Sequence, residues 1–193
     1  MKATKLTAAC TLLLGTVLIR PTYAEAPANL LQNGSFETVQ DGTTDQAASW
    51  FRWGQWINRE DSWSPVKDGK CVIGYHHWQV ESADDSGMWQ DVDVAAGKQY
   101  EFTIYANRDD AADKHLADTV EVRLEAVYPD HTVAINSVTA KVSDLATGQE
   151  WSKLTVKGTA ANAKLRVLIR VSPDKAGPRG GAVKFDDATL IAK

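Results

Sequence analysis

An all-β antiparallel sandwich is the fold this sequence predicts. Three observations lead there: a hydrophobic period of two, turn signals between the periodic runs, and no long run with the helical period. The period is clearest in 100–107, where Tyr100, Phe102, Ile104 and Ala106 alternate with Glu101, Thr103, Tyr105 and Asn107. Residues 120–127 and 165–171 alternate in the same way, Leu168 excepted. Such strands bury one face and leave the other to water. Shorter runs at 50–53, 71–75, 88–94, 133–138, 151–159 and 182–191 bring the expected total to about eight to ten strands, in the manner of a jelly roll.

The breaks between runs have their own chemistry. Asn33-Gly34 suits a tight primed turn, Pro129-Asp130 a type I turn, and Ala96-Gly97-Lys98 a short reversal. The segment 109–118 has Leu116 as its one large apolar residue and reads as a loop with at most one helical turn. Its Asp109, Asp110 and Asp113 lack the acidic spacing and glycine of an EF-hand loop. Residues 172–181 form a Pro/Gly-rich loop before the last strand.

The N-terminus reads as a secretory signal peptide. Lys2 and Lys5 precede a 14-residue apolar run, Leu6 to Ile19, and small residues at Ala24 and Ala26 offer a cut after either. A spanning helix needs about 20 residues, so membrane insertion is not expected. The reading assigns 1–24 to the signal and 27–193 to one domain. It also places the mature protein outside the cell, in the periplasm or at the cell surface. Without Lys2, Lys5 and Arg20 the chain carries 18 basic and 25 acidic side chains, a formal charge of −7. That balance argues against nucleic acid and anionic lipid as partners. One cysteine remains, Cys71, in an apolar strand-like run where a buried structural thiol is expected.

Two end segments carry a family resemblance. The opening Asn29-Leu30-Leu31-Gln32-Asn33-Gly34-Ser35-Phe36-Glu37 and the closing Val183-Lys184-Phe185-Asp186-Asp187-Ala188-Thr189-Leu190 resemble the first and last strands of one group of carbohydrate-binding modules. The group comprises families 4, 9, 16 and 22, with a galactose-binding-like jelly roll. Trp89-Gln90-Asp91-Val92, Gly97-Lys98-Gln99-Tyr100 and Trp151-Ser152-Lys153-Leu154-Thr155 follow in the matching order. The resemblance implies a structural calcium between the first and last strands. Glu37 and Asp186 would be its side-chain ligands, and the Ser35 and Lys70 carbonyls would complete it. Calcium takes six to eight oxygens, which carboxylates and loop carbonyls supply. In a regular strand Asp186 and Asp187 point to opposite faces, and the one facing the core needs a compensating cation. Carboxylates on a sandwich edge are the other reading.

All seven tryptophans follow the signal segment. By the resemblance Trp50 and Trp151 are core positions. Trp53, Trp56, Trp63, Trp78 and Trp89 stand among Arg52, Gln55, Asn58, Arg59, His76, His77 and Gln79, polar company unusual for a core. Sugar rings present apolar faces to flat aromatics while polar neighbours take their hydroxyls. The expected carbohydrate contacts are Trp53, Trp56, Trp78 and Trp89, with Tyr105 and Arg123 sharing an outer face of the central strands. Adjacent His76 and His77 point opposite ways in a strand and make a poor metal pair.

The sequence contains no Gly-x-Ser-x-Gly elbow, phosphate loop or His-Glu-x-x-His helix. The expectation is a non-catalytic polysaccharide-binding protein. A lyase or glycosidase using Tyr105 or His76 with Arg123 is the enzymatic alternative, and an envelope or adhesion protein the structural one.

Overall fold

A computed structural model describes residues 27–61, 65–76, 85–108, 118–173 and 182–193. The signal segment, Trp63, His77, Trp78, the Asp109–Asp113 group and most of the 172–181 loop lie outside the described residues.

The described residues form ten strands: β1 (Phe51–Trp53), β2 (Ile57–Glu60), β3 (Val72–His76), β4 (Ser86–Asp93), β5 (Gln99–Arg108), β6 (Thr119–Val127), β7 (Thr132–Lys141), β8 (Ser152–Thr159), β9 (Lys164–Ser172) and β10 (Ala182–Ala192). A 3₁₀ turn at Val142–Asp144 is the one helical element among the described residues. The strands form two five-stranded antiparallel sheets, ordered β1-β4-β9-β6-β7 and β2-β3-β10-β5-β8. Sequential strands 5 and 6, 7 and 8, and 9 and 10 belong to opposite sheets, which is the jelly-roll manner of closing a sandwich.

The alternation read in the sequence sets the core. Tyr100, Phe102, Ile104 and Ala106 of β5 share one buried core with Val120, Val122 and Leu124 of β6 and Leu165, Val167, Ile169 and Val171 of β9. Trp50 is a core residue, tilted against Phe36 with ring centroids 5.3 Å apart, and its indole N–H donates to the Asn33 carbonyl at 3.1 Å. At one edge Asn136 of β7 donates to the Lys157 carbonyl of β8 at 2.8 Å, tying the two sheets together. At the other, the chain passes from β1 to β2 across Gly54, whose φ of 78° belongs to the left-handed region.

The expected opening strand is absent. Residues 29–37 run as an irregular segment because Asn33 and Phe36 take φ of 50° and 58°, outside the strand region. Asn33-Gly34 is therefore no hairpin turn. The Asn33 side chain instead accepts from Thr38 N–H and donates to the Thr38 and Ala48 carbonyls. The segment still lies against β10: Leu30 N–H donates to the Leu190 carbonyl at 2.9 Å, and Ala188 N–H donates to the Gly34 carbonyl at 2.8 Å.

The closing strand departs from regularity too. The β10–β5 register shifts between Asp186 and Thr189, and Asp187 takes a φ of 52°. This bulge resets the alternation, so that Phe185 and Leu190, five positions apart, are both core residues. The opposite-face argument for Asp186 and Asp187 assumed a regular strand and does not hold. Asp186 pairs across the sheet with Tyr105, on the side away from the core. It is buried there beneath residues 67 and 68, whose N–H groups donate to it at 2.8 and 2.9 Å.

Candidate functional site: an aromatic and arginine-lined sheet face

The outer face of the β1-β4-β9-β6-β7 sheet collects the chemistry. Cross-strand register arranges its outward residues in rows. One row runs Trp53, Gly87, Arg170, Glu121; the next Phe51, Trp89, Leu168, Arg123; the third Asp91, Arg166, Glu125. A fourth begins with Asp93 and Lys164.

The aromatic residues occupy the β1–β4 side. Phe51 and Trp89 stack with centroids 4.5 Å apart and planes 16° apart. The Arg166 guanidinium carbon lies 3.6 Å from the Trp89 centroid. Phe51 and Arg166 come from strands on opposite sides of β4, and both cannot occupy one side of the ring at these distances. Trp89 is therefore the middle tier of a three-layer stack in which Phe51, 57 % exposed, is the outer tier. Trp53 is held differently. Its ring lies across Gly87, where any β-carbon would overlap it.

The polar residues are paired. Arg166 holds Asp91 through two bonds, 2.7 and 3.1 Å. Arg123 reaches Glu121 at 2.7 Å and Glu125 at 3.0 Å. Arg170 contacts Asp85 and lies 3.9 Å from Glu121. Bidentate arginine–carboxylate pairs hold both partners in fixed geometry while leaving spare N–H and lone-pair sites. The face thus offers donors and acceptors with the charges largely offset beside an exposed aromatic surface.

Of the six expected carbohydrate contacts, this face brings together Trp53, Trp89 and Arg123. Tyr105 does not join them. It stands on β5 in the other sheet, and its ring lies 4.6 Å from the Lys67 ammonium. The expected sharing of one face by Tyr105 and Arg123 assumed that consecutive strands are sheet neighbours, and the jelly-roll crossover separates them. Trp56 packs against the rim of the core. Trp78 lies outside the described residues. Trp151 is half-buried on the second sheet's side, 5.9 Å from the Lys184 ammonium, and is not a core residue.

The polar neighbours of the early tryptophans also serve other ends. Arg52 binds Asp45 and Asn58, while Arg59 donates to the carbonyls of Phe36 and Glu37. His76 contacts Glu60 on the second sheet. Sequence reasoning missed Phe51, Arg166 and Arg170. Their signal was parity: Phe51 alternates with Trp53, and Arg166 and Arg170 alternate with the buried Val167, Ile169 and Val171.

Two of the expected calcium ligands, Glu37 and Asp186, hold the same loop. Glu37 Oε1 accepts from Lys70 N–H at 2.8 Å and Cys71 N–H at 2.9 Å. Asp186 accepts from Lys67, Asp68 and Asp187 N–H. Burial raises the Asp186 carboxyl to about 6, against the pull of those three amides. Burial also disfavours the Glu37 carboxylate, but its two amides and the nearby Arg59 outweigh that and leave it below the usual range. Lys70 is engaged through its amide, and Ser35 is half-buried in the same N-terminal segment. Two hard carboxylates at the two ends of one loop suit an oxygen-seeking cation. No group of three or more His, Cys, Asp or Glu residues suited to a metal occurs among the described residues.

No family model matches the sequence, and no curated protein matches it. Solved structures match its fold. A family 61 carbohydrate-binding module in complex with β-1,4-galactotriose superposes with a TM-score of 0.61 at 16 % identity, covering 86 % of this chain and 99 % of that one. A family 16 carbohydrate-binding module matches with a TM-score of 0.54 at 18 % identity, covering 84 % of this chain and 99 % of that one. A Stig cyclase from Fischerella, in complex with an indole compound, matches at 0.56 and 13 % identity, covering 87 % and 98 %. The chain has the jelly-roll sandwich of carbohydrate-binding modules, and that fold also carries enzymes.

Proposed function

We propose that this protein binds a polysaccharide or oligosaccharide on the outer face of the β1-β4-β9-β6-β7 sheet, as an exported, non-catalytic carbohydrate-binding protein. The observation that carries this is the Phe51–Trp89–Arg166 stack beside Trp53. It presents an exposed aromatic surface next to fixed arginine–carboxylate pairs. A sugar ring lays its apolar face on the free side of Phe51 or on Trp53, and the arginine–carboxylate pairs elsewhere on the face serve the hydroxyls of neighbouring rings. Trp89 supports the platform from beneath. The similar modules include one in complex with a β-1,4-linked galactotriose, which makes neutral β-linked glycans the first ligands to try.

A structural calcium belongs to the same reading. Glu37 and Asp186, with the Ser35 and Lys70 carbonyls, would hold it. The ion would supply positive charge where Asp186 is buried and tie the N-terminal segment to β10.

Calorimetric titration and insoluble-polymer pull-down against a panel of plant and microbial glycans test the proposal, with product analysis on the same samples. Saturable binding without new reducing ends or unsaturated products is expected. Phe51→Ala should weaken it at least tenfold without lowering the melting temperature, since interface hot spots concentrate in aromatic anchors. Product formation would move the protein to the enzymes. Unaltered affinity in Phe51→Ala and Trp53→Ala together would remove this face from the reading.

A further inference from the structure

We infer that a second sugar subsite lies at the Tyr128 end of the same face, so that the ligand is a chain of several rings. This rests on the carbohydrate-binding reading and extends it to ligand length and direction.

The inference starts from a cavity of about 380 Å³ lined by Asp93, Val127, Tyr128, Pro129, Asn162, Ala163 and Lys164. Asp93 and Lys164 are cross-strand partners and belong to the last outward row of the sheet that carries Phe51 and Trp89. Val127 lies one residue beyond the final β6–β9 pair, Ala126 and Leu165. The cavity therefore opens at the end of this face.

Its aromatic wall is built in advance. Tyr128 stacks on His131 with centroids 4.8 Å apart and planes 9° apart, and Tyr128 N–H donates to the His131 carbonyl across Pro129-Asp130. Proline fixes one backbone angle of that turn, so the ring is oriented with little entropy left to lose on binding. His131 covers one face of Tyr128, and the residue remains 37 % exposed. The opposite wall is fixed by Asn162, which donates to the Val127 carbonyl at 2.7 Å and accepts from Lys164 N–H at 3.1 Å. Lys164 and Asp93 stand 3.7 Å apart at the mouth, where both can meet hydroxyls.

A second cavity adjoins the first and extends toward Asp91. It has a volume of about 490 Å³ and is lined by Leu30, Gln32, Ser49, Gln90, Asp91, Val92 and Asp93. Asp93 is shared with the Tyr128 cavity, while Asp91 is the partner of Arg166 under Trp89. Concave surface thus continues from Tyr128 past Asp93 to Asp91, whose partner Arg166 packs on Trp89. From the Trp89 row to the Asp93 row is four residues, about 13 Å at the rise of a strand. One sugar ring cannot touch both ends; a chain can.

The test compares a disaccharide with a hexasaccharide of one β-1,4-linked series, on the full mature chain. Wild type should bind the hexasaccharide more tightly. Tyr128→Ala should weaken hexasaccharide binding roughly tenfold, leave disaccharide binding and the melting temperature unchanged, and be rescued by Tyr128→Phe. If Tyr128→Ala binds the hexasaccharide as wild type does while Phe51→Ala has lost it, the second subsite is wrong and the proposed function stands. If wild type binds no member of the series or of the wider glycan panel, both fall together. If Tyr128→Ala weakens both ligands equally, the residue belongs to the first subsite and the chain-spanning inference fails.

Discussion

Asp186 and Tyr105 are cross-strand partners on β10 and β5, and Lys67 contacts both, joined at Asp186 by Asp68. The carboxylate holds the backbone of that cover through two amides, while the Lys67 ammonium lies over the tyrosine ring. Two interior strands of a sheet thus fix the segment that leads into β3. The cost falls on Asp186, whose charge is buried.

That cost has a pH signature. Asp186 rises from 3.8 to about 6 on folding, with burial as the leading cause. Below 3.8 the group is protonated in both states. Between 3.8 and about 6 the folded chain keeps a proton that the unfolded chain has released, so this group's contribution to stability falls as pH rises through the window. Urea unfolding in excess chelator across that range should show the decline, and Asp186→Asn should remove its share of it.

Calcium held at this site would reverse the sign. An ion bound only by the folded state adds stability by mass action and favours the charged carboxylate. Melting temperature at neutral pH should rise with added calcium and fall with chelator, and Glu37→Ala should abolish the response. A melting curve indifferent to both additions rules the ion out.

Trp50 and Phe51 are neighbours in sequence with opposite consequences. Trp50→Ala empties a fully buried site and should cost about 3–5 kcal/mol of folding stability, read from denaturant midpoints. Phe51→Ala removes an exposed ring and should leave the midpoint nearly unchanged while weakening glycan binding. Equal loss of stability in both would mean that Phe51 is structural.

Asp91→Asn tests the stack from its far side. It leaves Arg166 with one neutral partner in place of a bidentate ion pair, freeing the guanidinium from its position over Trp89. Affinity should fall several-fold with little change in melting temperature, and the indole fluorescence of Trp89 should shift. An unchanged emission spectrum and affinity would show that the pair does not position the platform.

The sandwich was legible in the sequence because a single physical rule, burial of alternate residues, governs most of its strands. Where backbone irregularity sets the geometry, the rule had nothing to read. Asn33 and Phe36 take left-handed conformations that turn a strand-like opening into a clip, and the bulge at Asp187 inverts the alternation around Asp186. The layout of the proposed binding face was readable only in part. Trp53, Trp89 and Arg123 follow from composition and parity, but Tyr105 was grouped with Arg123 because chain order was taken for sheet order. Phe51 shares the outward parity of Trp53, and the β1–β4 register sets it beside Trp89.

The position of β10 bears on how the chain folds. It is the latest of these strands to be synthesised, yet it lies at the centre of its sheet, between β3 and β5, and also receives the 29–34 segment. Until it arrives, the β2–β3 and β5–β8 pairs have no common partner, and the second sheet remains two unconnected ribbons. Contacts so distant along the chain are slow to form, and a nascent polypeptide lacking them has no route to the closed sandwich. The second sheet can close only once the β10 residues are available to pair.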